Sequence, residues 1–222
     1  MPRIRSFAAG ALVVGLSAVG LHADDGRLRD AATVITEMSS GADLSISPAF
    51  FAKAKCVAVI PGVRKAALGI GGQYGRGYIS CRNASGTGWS APGGVRIEGG
   101  SVGLQIGAAE TDLILLVLND RGADRLLSSR FTVGADAAVA AGPVGRQASA
   151  QTDATLAAEI LAWSRSRGVY AGISLQGSTL REDSSENREL YGSERPNKEI
   201  VRGGTPPPAA AAPLMTALAK LP

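Results

Sequence analysis

The sequence predicts an α+β domain in which N-terminal helices pack on a curved, glycine-rich antiparallel β-sheet or partial barrel. Three observations carry this. Val95 and Ile97 alternate with Gly94, Arg96 and Glu98, and Val102, Leu104 and Ile106 alternate with Ser101, Gly103 and Gln105, the period of half-buried strands. Residues 113–118 form a continuous apolar run closed by Asn119-Asp120-Arg121-Gly122, which suits a strand buried on both faces. Glycines recur inside these runs, and a glycine within a strand marks a bulge, a tight bend or a close backbone approach. Gly99-Gly100 reads as a two-residue hairpin turn joining the first two runs.

Arg3 and Arg5 precede an apolar run at 7–21, and Leu21-His22-Ala23 ends in the small residue that signal peptidase requires. Residues 1–23 are therefore expected to be a cleaved export signal, placing the mature chain in the periplasm or outside the cell. The competing reading is a membrane anchor, but the run is short for a spanning helix and contains Gly10, Gly15 and Gly20. The domain itself is expected over 24–192. Leu28, Ala31, Ala32, Ile35 and Met38 fall near helical spacing. Ser47 and Pro48 supply an N-cap and a first helical residue for a short helix reaching Lys53 and Lys55, where cations suit the helix dipole.

Strands are expected at 56–60, stopped by Pro61-Gly62, and at 66–70 and 74–81, joined through Gly71-Gly72. The polar residues 82–87 read as a loop and 120–128 as a short helix. Residues 131–143, rich in small side chains, read as one tightly packed strand. Residues 157–165 fit a helix or a strand; a hairpin with 169–175 is the assignment taken. A short helix is expected within 181–191. From 193 to 222, Thr205-Pro-Pro-Pro and an alanine run read as a disordered tail.

Composition excludes several function classes. The chain has 23 basic and 19 acidic residues. Two of the arginines lie in the export segment, so the remainder carries a net charge of +2, too balanced for nucleic acid. The single histidine, His22, lies there too. A Ser-His-Asp triad, a Cys-His pair and a histidine-rich metal site are excluded by inventory, and no cofactor is expected. Cys56 and Cys81 flank short β-like runs. In an oxidising compartment they read as a disulfide contributing about 3–4 kcal/mol; two buried thiols are the alternative. A plain three-strand meander would leave these cysteines at opposite ends. The bond therefore requires a strongly bent sheet or a crossing of the first strand over the third.

Gly69 to Gly77 contains glycines at 69, 71, 72, 75 and 77, but lacks the Gly-Lys-Ser/Thr ending and following helix of a phosphate loop, so a bent hairpin is the better reading. Glu98, Glu110 and Asp112 are the carboxylates available for hydrolytic acid–base chemistry. Lys53, Lys55, Arg64 and Lys65, with Arg165 and Arg167 on a second basic turn, are candidates for a cationic pocket taking phosphate or anionic headgroups; a solvated face is the bland alternative.

Taken together, Ala-Lys-Cys56-Val-Ala-Val-Ile-Pro61, Gly72-Gln-Tyr-Gly75-Arg-Gly77, Gly88-Trp-Ser-Ala-Pro92, Gly99-Gly-Ser-Val-Gly-Leu-Gln-Ile-Gly107, Thr111-Asp112, Gly134-Ala-Asp136-Ala, Ala141-Gly-Pro-Val-Gly145-Arg146, Ser164-Arg-Ser-Arg-Gly168 and Ala171-Gly-Ile-Ser-Leu175 resemble a SYLF domain over about residues 30–192. The resemblance implies a non-enzymatic, lipid-binding domain, phosphoinositide-linked in eukaryotic members and actin-binding in yeast relatives. With the export signal, it implies an exported bacterial member that binds anionic phospholipid at a membrane surface of the cell envelope. Actin is not expected as a partner in that compartment. An envelope protein-interaction module is the alternative, and a hydrolase ranks below both.

Overall fold

The computed structural model describes residues 23–40, 46–133, 135–143, 157–166, 169–172, 175 and 177–222. The expected export signal lies outside the described residues up to residue 22. Helix α1 (Ala23–Ser40) leads into α2 (Pro48–Lys53), with a proline in the first turn as expected, although the Ser47 side chain makes no capping hydrogen bond. No helix among the described residues is long and apolar enough to cross a membrane.

The framework is one long hairpin. β1 (Cys56–Cys81) is a single strand of 26 residues, and β2 (Gly93–Val117) is its antiparallel partner of 25 residues. Their register runs from Cys56 opposite Val117 to Ile79 opposite Gly93. Pro61-Gly62 does not stop the strand. It occupies a bulge between Ile60 and Val63, where no ladder N–H is required of proline, and Gly62 takes φ +59°. The two turns expected at Gly71-Gly72 and Gly99-Gly100 are also absent. These dipeptides face each other across the hairpin, with Gly72 opposite Gly100. Each glycine pair has the local chemistry of a turn, but here both continue their strands, Gly71 facing Ser101 and Gly99 facing Gln73 on either side of the Gly72–Gly100 pair.

The ribbon curls until it doubles back. A strand of this length would span roughly 80 Å if straight. Yet the Cα atoms of its terminal residues, Cys56 and Cys81, stand 3.9 Å apart and their sulfurs are bonded. Close approach of the two halves is permitted by Gly77, where an added Cβ would lie 2.0 Å from the Val59 carbonyl oxygen. The disulfide expected from sequence is therefore present, made possible by the bent sheet. Replacing both cysteines by serine should cost about 3–4 kcal/mol in a denaturant titration, from the entropy of the closed loop. A loss below about 1 kcal/mol would mean that the crossing holds without the bond.

Shorter elements complete the half-barrel. These are α3 (Asp120–Leu126), β3 (Arg130–Thr132), β4 (Val139–Ala141), β5 (Ile160–Ser166), β6 (Val169–Gly172) and β7 (Thr179–Glu182). The sheet order is β3-β7-β2-β5-β4, with β1 also on β2 and β6 on β5. The β5–β6 hairpin is as expected. Residues 131–143 instead form two short strands, and β4 runs parallel to β5, making the sheet mixed.

Alternation along β1 and β2 divides the core. Ala58, Ile60, Leu113, Leu115 and Val117 join Ile79, Val95, Ile97 and Leu180 inside the curl. Val57, Val59, Ile114 and Leu116 face outward beneath Leu28, Ile35 and Met38 of α1. This is the strand buried on both faces that residues 113–118 predict.

The reading of 193–222 as a disordered tail is overturned. Helix α4 (Ser184–Tyr191) is followed by α5 (Asn197–Arg202), a 3-10 turn (Ala209–Ala211) and α6 (Ala212–Leu218). Ile200 and Val201 enter the inner core, while Ala211, Leu214, Ala217, Leu218 and Leu221 join α1 in the outer one. Proline and alanine here are helix-start and helix-forming residues, and the small alanines allow close packing. Composition alone does not distinguish this from a solvated linker.

Candidate functional site

The end of the ribbon closed by the disulfide opens into a cavity of about 840 Å³. Lys53 from the last turn of α2 and Lys55 just before β1 line it, together with Cys56, Cys81, Arg82 and Arg202. Asp120 is the acidic residue in this lining. Lys53 and Lys55 are both exposed, and neither has a carboxylate partner among the described residues. The Arg82 backbone N–H donates to the Lys55 carbonyl at 2.8 Å, fixing the two basic segments beside the bond. The Arg82 guanidinium lies 4.2 Å over the Trp89 ring and donates to the carbonyl oxygens of Phe51 and Pro222. Burial pulls its pKa below the ordinary arginine value. Arg202 pairs with Asp124 at 2.5 Å.

Arg82 and Arg202 were not among the sequence candidates. Arg82 carries a legible signal: it follows Cys81 as Lys55 precedes Cys56, so accepting the disulfide places the two cations side by side. Arg202 has none, because it lies in the segment read as disordered.

The other candidates do not converge on this cavity. Arg64 and Arg165 line a separate cleft of about 500 Å³ under α1, shared with Arg27, Asp30, Glu110 and Asp112. Arg165 bonds Asp112 at 2.6 Å and also pairs with Glu37, while Arg64 lies 3.7 Å from Glu110. Burial raises the Asp112 carboxyl above its usual range, against a hydrogen bond from the Gly62 N–H at 2.9 Å. This cleft is charge-balanced and offers an anion little net attraction. Lys65 lines neither cavity, and burial lowers its pKa. Arg167 lies outside the described residues. Of the three carboxylates considered for hydrolysis, Glu110 and Asp112 share the balanced cleft and Glu98 sits on the other half of β2, paired with Arg96 at 2.9 Å.

A buried polar cluster also escaped sequence reasoning. Glu186 on α4 is fully buried and receives Arg27 at 2.5 Å, Arg76 at 3.2 Å and the Tyr78 hydroxyl. Asp183 receives Arg76 Nε at 2.5 Å. Burial opposes the Asp183 charge, but hydrogen bonds from Arg76 and Ser185 outweigh it and hold the carboxyl below its usual range. Beside it, Asn187 and Asn197 bond the Gly94 backbone at 2.6 and 2.8 Å. Arg27 from α1, Arg76 and Tyr78 from β1 and the Gly94 backbone of β2 all meet groups on α4 or flanking it, so the cluster joins α1, β1, β2 and α4.

Comparison with known proteins agrees with the motif resemblance. The chain is 37% identical to Protein YSC84 of Saccharomyces cerevisiae over 182 residues, 80% of this chain and 38% of that protein. It is 36% identical to LAS seventeen-binding protein 3 of the same yeast, covering 80% of this chain and 39% of that one. It is 34% identical to human SH3 domain-containing YSC84-like protein 1 over 179 residues, 79% of this chain and 52% of that one. The chain thus spans between about two fifths and one half of these relatives' lengths. A family model described as "Las17-binding protein actin regulator" matches residues 98–221, which includes the segment read as a tail. That description gives the expectation against actin no support. The chain belongs to this Ysc84 family, whose members carry the SYLF-type domain.

Proposed function

We propose that this domain is a non-enzymatic binding module that takes an anionic phospholipid headgroup at a membrane surface, in an oxidising exported compartment. The observation that carries the reading is the convergence of Lys53, Lys55, Arg82 and Arg202 on one open cavity with Asp120 as its acidic lining residue. Unpaired ammonium groups at a cavity mouth attract phosphate with little desolvation cost, while a partly buried guanidinium supplies directional bonds. The Cys56–Cys81 bond supports the exported location, because structural disulfides persist where thiols are not kept reduced.

Vesicle co-sedimentation tests this. Phosphatidylglycerol or cardiolipin vesicles should pellet the protein at low salt and phosphatidylcholine vesicles should not. Lys53→Glu with Lys55→Glu should weaken pelleting by about tenfold or more. Arg64→Gln, in the balanced cleft, should change it by less than about twofold. Pelleting no greater than with neutral lipid would refute the proposal.

A second reading is favoured by the family description, which names a Las17-binding protein and actin regulator, and by the yeast relative named for binding LAS seventeen: the domain binds actin or a protein partner of that kind. Saturable co-sedimentation with actin filaments, without retention on anionic vesicles, would select it. Stoichiometric capture of an envelope protein with neither would select the interaction-module alternative.

A further inference from the structure

The outer face of the far half of the sheet carries a row of arginines that no local sequence pattern announces. Register places Arg76 opposite Arg96, Arg96 opposite Arg181, and Arg181 opposite Arg130. Four adjacent strands, β1, β2, β7 and β3, thus each contribute one arginine to the same cross-strand row. Their neighbours Val95, Ile97, Leu180 and Phe131 point into the core, which leaves the arginines on the outside. Strands are about 4.8 Å apart, and like charges directly opposite each other destabilise a sheet.

The row is only partly neutralised within the molecule. Arg76 is taken up by Asp183 and Glu186. Arg96 and Arg181 share Glu98, their Nε atoms lying 2.9 and 3.5 Å from its two carboxylate oxygens, in ion-pair contact without aligned hydrogen-bond geometry. Arg130 is exposed, and its side chain has no acidic partner among the described residues. Three guanidiniums therefore stand against one carboxylate. Glu98 also shows the chemistry that the row accepts: one carboxylate bridging arginines of neighbouring strands.

We propose that the Arg96, Arg181 and Arg130 row is a docking surface for an acidic polypeptide segment whose Asp or Glu carboxylates pair with these guanidiniums. Carboxylates spaced about 5–6 Å apart, as on one face of a helix, match the spacing of the row. This surface is separate from the lysine cavity and does not depend on the lipid reading.

The test uses the full chain and a fluorescently labelled oligoglutamate peptide, followed by anisotropy at low salt. The peptide should bind. Arg130→Glu should weaken binding by about fivefold, and Arg130→Glu with Arg181→Gln by more than about tenfold. Lys53→Glu with Lys55→Glu should leave it within about twofold. Arg130→Glu removes no internal contact, so it keeps the test decisive where circular dichroism shows the double variant to be misfolded. Absence of peptide binding, or equal loss in the lysine variant, overturns the proposal. So does loss of anionic-vesicle binding in the arginine variants with peptide binding intact, which would assign the row to a membrane surface.

Discussion

Glu186→Ala should destabilise the domain by about 3–5 kcal/mol, a large part of the total stability of a domain this size. The carboxylate is fully buried and is the common acceptor for Arg27, Arg76 and Tyr78. Burial and the adjacent Glu186 charge hold the Tyr78 phenol far above its ordinary range, so the hydroxyl stays protonated and donates. Without Glu186, Arg76 keeps Asp183, but Tyr78 loses its acceptor and Arg27 a buried counter-ion. Glu186→Gln keeps an acceptor oxygen and should cost less. The check is the urea midpoint at unchanged slope. A loss below about 1 kcal/mol would show that the helices stay docked by apolar packing alone.

Gly77→Ala should be at least as severe, costing more than about 4 kcal/mol or preventing folding. The new methyl would sit 2.0 Å from the Val59 carbonyl oxygen and 2.6 Å from the Ile60 Cα, both backbone atoms that cannot rotate away. Relief would require the two halves of the ribbon to separate, and with them the strand ends that the disulfide joins. Gly72→Ala is the control. Its Cβ would come no nearer than 3.9 Å to the Gly99 carbonyl oxygen, so it should be tolerated within about 1 kcal/mol. Equal effects at the two glycines would show that conformational freedom, rather than close approach, is what glycine supplies to this ribbon.

The contrast between these glycines indicates how much was legible in advance. Helices α1, α2 and α3 and the β5–β6 hairpin follow from spacing, caps and turn residues, all interactions within a few positions of one another. The glycine pairs at 71–72 and 99–100 satisfy the same local rules as turns. Their true place, facing one another within a continuous ribbon, depends on pairing between residues far apart in sequence, and the two strands carrying them are each roughly four to five times the length of an ordinary one. The final segment misled for a related reason. Leu214 and Leu218 count as core residues only once α1 presents a surface to receive them.

The site divides in the same way. Residue chemistry by itself determined that this chain carries a single histidine, His22, that its two cysteines can bond, that Lys53 and Lys55 can attract an anion, and which family its motifs resemble. Tertiary structure decided that Arg64 and Arg165 are paired with Glu110, Asp112 and Glu37 in another cleft, and that Arg82, together with Arg202 in its own pair with Asp124, lines the cavity beside the lysines. It also decided that four scattered arginines stand in one row. The physical reason is that charge is a property of a residue, whereas its neutralisation depends on distance. In a ribbon that folds back on itself, the nearest counter-ion is set by strand register and chain crossing rather than by position along the sequence.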